Sequence, residues 1–211
     1  MKENRKGDIF MSLVNTPSGN RLHIGIFGKR NSGKSSLLNA ITGQEIALVS
    51  EVKGTTTDPV SKAMEIHPIG PCLLIDTAGF DDTGDLGNMR IEKTKAVLDK
   101  TDVAVVVFSD MQMELETQWI AMLRQRKIPI LAVVNQVDRI EQVQEIKRQI
   151  EQRFSLTPLL VSAKEKTGIS QMKHEILRLM PPDFEAQSLT GSLVQPEDVV
   201  LLVMPQDKQA P

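Results

Sequence analysis

The chain has 211 residues, 40% hydrophobic and 25% charged, which suits one domain of ordinary size plus a remainder too short to fold well alone. A formal net charge of -2 excludes a polycationic surface and argues against nucleic acid as a partner, while the single cysteine, Cys72, excludes an internal disulfide. No apolar run reaches the length of a membrane span, and Ile9 to Val14 is too short for a signal peptide, so a cytoplasmic protein without membrane association is expected.

Residues 1–20 read as an arm that ends in the turn-like Thr16-Pro17-Ser18-Gly19-Asn20. The first apolar run, Leu22 to Phe27, leads through a glycine loop into a predicted helix, Lys34 to Ile41. In Val60 to Ile66, Val60, Lys62, Met64 and Ile66 share one side while Ser61, Ala63 and Glu65 take the other. That alternation predicts an edge strand, hairpinned to the next run, Cys72 to Ile75. A helix from Met89 to Asp99 precedes the strand Val103 to Phe108. Glu114 to Arg126 carries Leu115, Trp119, Met122 and Leu123 at helical spacing. Strand Ile130 to Val134, helix Glu141 to Phe154, strand Leu159 to Val161 and helix Ser170 to Met180 follow, and Pro181-Pro182 stops the last helix. Continuous apolar runs mark strands covered on both faces. The expected architecture is an α/β domain over residues 21–183, a mostly parallel six-stranded sheet with helices on both faces. Beyond it, Val199 to Met204 is strand-like with no later partner, so residues 184–211 are expected to open a second domain cut short.

The chemistry lies at strand ends. Gly28-Lys29-Arg30-Asn31-Ser32-Gly33-Lys34-Ser35 matches the phosphate-binding loop pattern between a strand and a helix. Its backbone N–H groups can point at phosphate oxygens, helped by the positive end of the helix dipole. Lys34 is expected to reach the β- and γ-phosphates and the Ser35 hydroxyl to hold magnesium. Gly28, Asn31, Ser32, Gly33 and Ser36 complete the cradle. Asp76-Thr77-Ala78-Gly79 follows a strand, so Asp76 can hold a magnesium-bound water and the Gly79 N–H can contact the γ-phosphate. Between them lies Gly54-Thr55-Thr56-Thr57-Asp58, where the Thr56 hydroxyl is the candidate magnesium ligand when the γ-phosphate is present. Lys34, Thr56 and Gly79 form the candidate catalytic set.

Asn135-Gln136-Val137-Asp138 follows another strand. Guanine presents two adjacent donors, N1–H and the exocyclic amine, and the Asp138 carboxylate can accept both. Adenine would set an acceptor against that carboxylate, and such pairing can reject the wrong base by roughly 10⁴-fold. Ser162-Ala163-Lys164 would place a backbone N–H at the guanine carbonyl. Each motif is weak alone, but five in this order point to GTP or GDP as the ligand.

With these motifs the sequence resembles Ras-like GTPases of the tRNA-modification and ribosome-assembly group that includes MnmE and Era. Asn15 to Arg21, the loop Gly28 to Ser35, Gly54 to Pro59 and Leu201 to Asp207 resemble the HydF family of FeFe-hydrogenase maturation GTPases. The resemblance implies a GTPase domain, then a dimerisation domain, then a domain holding an iron–sulfur cluster. With one cysteine, no cluster is expected in this chain. It also implies radical-enzyme hydrogenase maturases and the hydrogenase apo-protein as partners, and a face-to-face homodimer of GTPase domains. Asn31 stands where this group's asparagine helps bind potassium. Phe80 replaces the glutamine that orients water in Ras-type enzymes, so slow turnover is expected. The family's guanine motif is Asn-Lys-x-Asp, and here Gln136 replaces the lysine whose stem covers the base and ties the loop to the phosphate loop. That change bears on affinity more than on selectivity, which Asp138 still carries. His23, His67 and His174 have no metal-ligand spacing, and Cys72 reads as a small buried hydrophobe.

Overall fold

Leu22–Gly28 forms β1, and every residue of it except His23 is buried. It pairs in parallel with β3, whose range is Gly70–Asp76, and with β4, Val103–Phe108, all six of whose residues are buried. A computed structural model describes residues 21–43, 61–76 and 95–184 of the chain. Outward from β4 lie β5 at Ile130–Val134 and the two-residue β6 at Leu159–Leu160, both parallel. On the other side, β2 at Ser61–Ile66 runs antiparallel to β3, giving the order β2-β3-β1-β4-β5-β6. The mostly parallel six-stranded sheet and its antiparallel edge hairpin are as the alternation in β2 predicts, with Lys62, Met64 and Ile66 on the more buried side.

Alternate strand residues build two cores. On one face Leu22, Ile24, Ile26, Val103 and Val105 pack against α1, Lys34–Thr42, and α4, Ile169–Leu179. On the other, Phe27, Ala104, Val106 and Phe108 pack against α2, Glu114–Gln125, and α3, Val143–Phe154. Both faces are thus covered, which is why the central strands are apolar throughout.

The boundaries moved where backbone geometry overrides periodicity. β3 begins at Gly70, two residues before its apolar run, because Pro71 and Gly70 pair with Glu65 and Ile66 across the hairpin. β6 ends one residue early at Leu160, although the Val161 N–H still bonds the Val134 carbonyl at 2.8 Å. α1 runs one residue further and stops at Gly43, whose left-handed backbone bonds the Asn39 carbonyl. α3 starts at Val143, two residues late. α4 ends at Leu179, where Met180 turns extended ahead of Pro181. α2 ends at Gln125 instead of Arg126. Of the helix expected from Met89 to Asp99, residues 95–98 are helical, Asp99 sits in a turn, and the earlier part lies outside the described residues. The arm at 1–20 and the segment from 185 also lie outside them.

His23 is a satisfied strand histidine: its Nδ1 lies 2.9 Å from the Lys100 carbonyl, and its N–H donates to Asp102. The buried Cys72 thiol is pushed up to about 12, first by burial and then by Glu65, so it stays protonated and inert. Among the described residues no group of three or more His, Cys, Asp or Glu could hold a metal ion, and no helix is long and apolar enough to cross a membrane.

Candidate functional site

The loop from Gly28 to Gly33 leaves the buried end of β1 and turns back into α1. Asn31 and Gly33 both take left-handed backbone, at φ 63° and 83°, and the Ser32 N–H closes a turn on the Lys29 carbonyl at 3.2 Å. Such alternation curls the chain so that successive N–H groups face one concavity, the geometry of an anion nest. α1 opens with no acidic residue in its first turn and no side-chain cap, so its N-terminal N–H groups and dipole face an anion without competition. Lys34 is buried, and its ammonium donates to the Gly28 carbonyl and, at 2.8 Å, to that of Lys29. Those bonds fold the side chain over the loop and hold the charge at its centre. Ser35 and Ser36 are exposed in the first turn of α1, while Leu37 and Leu38 are buried.

The base-recognition segment is fastened to this loop. Asn135, 1% exposed, donates through Nδ2 to the carbonyls of Ser32 at 3.0 Å and Gly33 at 3.3 Å. Its Oδ1 accepts the Ala163 N–H at 3.2 Å, which fixes the amide's orientation from both ends. One side chain therefore joins the β1–α1 loop, the end of β5 and the loop after β6. Gln136, also left-handed at φ 64°, donates through Nε2 to the Asn31 carbonyl at 2.8 Å. The glutamine thus makes the tie to the phosphate loop that the family's lysine would make.

Asp138 accepts the Ser162 hydroxyl at 2.6 Å. That bond, ahead of the smaller attractions of Lys164 and Arg139, holds its carboxyl below the usual carboxylate range, so it remains a charged acceptor at neutral pH. Ser162 in turn accepts the Glu165 N–H at 3.1 Å. A cleft of roughly 250 Å³ opens between these elements, lined by Gly33, Ser36, Asn135, Gln136, Asp138, Arg139, Ala163 and Lys164. The Ala163 N–H, one of those expected to meet the guanine carbonyl, is engaged by Asn135, and the Lys164 ammonium lies 3.9 Å from Glu165. Arg139 was not anticipated as a lining residue, although it adjoins the guanine motif.

Of the candidate magnesium ligands, Ser35 lies exposed in the first turn of α1. Asp76 ends β3 in register with Ile26, two positions before the phosphate loop begins. Hydroxyl and carboxylate oxygens are the donors a hard cation takes, so the set fits magnesium. Thr56, Gly79 and Phe80 lie outside the described residues.

Residues 23–136 match the sequence family described as 50S ribosome-binding GTPase. The chain belongs to that GTPase family. It is 33% identical over 172 residues to the GTPase Der of Wolinella succinogenes, an alignment covering 75% of this chain and 36% of that protein. It is 32% identical over 190 residues to the tRNA modification GTPase MnmE of Flavobacterium johnsoniae, covering 86% of this chain and 39% of that one. The chain therefore spans somewhat over a third of each of these relatives. The structure of Aquifex aeolicus Era bound to GDP and AlF4⁻ shares the fold, with a TM-score of 0.60, 23% identity, and 75% of this chain and 56% of that chain covered. The molecule thus carries a GTPase domain of the Ras-like fold.

Proposed function

We propose that this GTPase domain is a slow, guanine-selective switch, stimulated by a monovalent cation, within a larger protein that serves FeFe-hydrogenase maturation. The observation that carries the guanine switch is the coupling of an ionised Asp138, held by Ser162, to a phosphate loop fastened through Asn135 and Gln136. Asp138 accepts the two guanine donors, and the loop N–H groups with Lys34 bind the phosphates. Ser35, Thr56 and Asp76 would hold a magnesium ion, which would supply charge neutralisation at the phosphates. Asn31 would add potassium beside the phosphates, and Phe80 offers no hydrogen bond to orient water, so turnover is slow.

The maturation role rests on the resemblance of residues 15–21, 54–59 and 201–207, with the radical-enzyme maturases and the hydrogenase apo-protein as partners, and residues 184–211 as the start of a second domain. The description of the matching family, 50S ribosome-binding GTPase, and the name of the MnmE relative favour a second reading, a GTPase serving tRNA modification or the ribosome. Single-turnover GTP hydrolysis in potassium and in sodium tests the switch. The rate should be higher in potassium, and Asn31→Ala should abolish the difference. Equal rates in both salts for the unaltered chain would remove the cation from the mechanism. Nucleotide-dependent capture of the maturases, with no binding to RNA, would favour the first reading over the second.

A further inference from the structure

Beside the phosphate loop lies a charge cluster, running from the exposed Asp110 to the buried Glu116, that the nucleotide chemistry does not use. The Lys29 side chain is only 18% exposed, and its ammonium donates to Asp110 Oδ1 at 2.7 Å and to the Gln112 carbonyl, in the segment between β4 and α2. Glu116, in the first turn of α2 and 2% exposed, has its Oε2 3.9 Å from the same ammonium. That is too long for a hydrogen bond, and this oxygen has no hydrogen-bond partner among the described residues. On the opposite side, the Lys29 carbonyl accepts the Lys34 ammonium at 2.8 Å. Lys29 is therefore held twice: its side chain is bonded by the segment between β4 and α2 and faces the Glu116 charge at the start of α2, and its backbone carbonyl takes the lysine that serves the phosphates.

A buried carboxyl is costly to keep, and an apolar residue of similar size would pack as well or better. Its retention beside the loop calls for another role. We propose that Glu116 and Lys29 are positioning residues for GTP binding: through Lys29, the start of α2 holds the phosphate loop in the curl that receives the triphosphate. The proposal rests on reading residues 28–35 as the phosphate site. Burial pushes the Glu116 carboxyl up to about 7; Asp110 and Glu114 add to the rise, while Lys29 and Glu116's own backbone bond oppose it. Near neutrality the carboxyl therefore gains or loses the charge that attracts Lys29, and the grip weakens as pH falls through 7.

Release of a fluorescent GDP, followed by stopped flow at pH 6 and pH 8 on the whole chain, tests this. Glu116→Gln should release GDP faster than the unaltered chain at pH 8, by about threefold to fivefold, the scale of one lost ion pair while the Lys29 bonds to Asp110 and Gln112 remain. At pH 6 the unaltered chain should approach the variant's rate, and the variant should be flat between the two pH values. Lys29→Met should be fast at both, and Lys29→Arg should restore slow, pH-dependent release, a rescue that a merely structural effect would not give. Parallel pH profiles, or equal release at pH 8 for Glu116→Gln and the unaltered chain, would overturn the proposal. Should Glu116→Gln fail to fold, Asp110→Asn loosens the same grip, and unchanged release in that variant overturns it equally. A Lys34→Ala chain that still holds nucleotide would instead overturn the phosphate-site reading beneath it.

Discussion

Asp138 shows how much selectivity one side chain can carry. Its carboxylate is kept ionised mainly by the Ser162 hydroxyl, so on the reading proposed above it would meet guanine as a double acceptor. Asp138→Asn reverses one hydrogen-bond direction. It should weaken GTP binding by at least tenfold, the equivalent of about 1.5 kcal/mol for a lost charge-assisted bond, and should create affinity for xanthosine triphosphate. Fluorescence titration with both nucleotides checks this, and unchanged GTP affinity would remove Asp138 from the guanine contacts. At this scale the sequence was legible wherever a motif is contiguous: Asp138, Asn135 and Lys34 could be named from spacing alone. Gln136 was legible as a departure, but its bond to the Asn31 carbonyl was not. Whether a shorter amide reaches that carbonyl depends on the left-handed backbone at both residues. Glu116 left no trace at all, because a glutamate in the first turn of a helix reads as an ordinary dipole-favoured, solvated residue.

At the scale of elements, types were readable and ends were not. The apolar runs of β1, β4 and β5 and the spaced side chains of α2 are strong periodic signals, and all were recovered. The ends depend on single backbone conformations and on pairing across a hairpin, which periodicity does not encode, as Gly70 and Pro71 in β3 show. Gly168 is one such conformation. It caps α4 at φ 74°, and a Cβ there would lie 2.5 Å from the Leu160 carbonyl oxygen, in the strand that leads to Ser162. Gly168→Ala should therefore destabilise the domain by about 1–3 kcal/mol, the usual cost of a strained left-handed residue, and weaken guanine binding with it. Thermal melts with and without GDP measure both effects. A variant as stable as the parent would show that the β6–α4 turn relaxes without cost.

For the whole molecule, the same buried carboxyl that supports the loop weighs on the fold. Glu116 is raised from 4.5 to about 7, so the folded state holds its proton more tightly than the unfolded state does. Stability from this group is therefore full below about 4.5 and is lost as pH rises towards 7. At about 1.4 kcal/mol per pH unit the loss is roughly 3 kcal/mol. Glu116→Gln should match the parent in urea unfolding at pH 5 and exceed it at pH 8, even while it releases GDP faster. Equal differences at both pH values would show that the charge is not what costs stability. Opposite signs for stability and nucleotide retention are the signature of a residue kept for function.

The bonds from Asn135 to Ser32 and from Gln136 to Asn31 bridge 103 and 105 positions of chain. They fix the gap between the base grip and the phosphate grip, like a caliper locked at one opening. GDP and GTP have the same span from base to β-phosphate, and the caliper holds them alike. It cannot tell them apart. Discrimination between the two states must then come from groups engaged only when the third phosphate is present. On the reading above these are Thr56 and Gly79, so the anchoring of the ligand and the sensing of its state fall to separate parts of the chain.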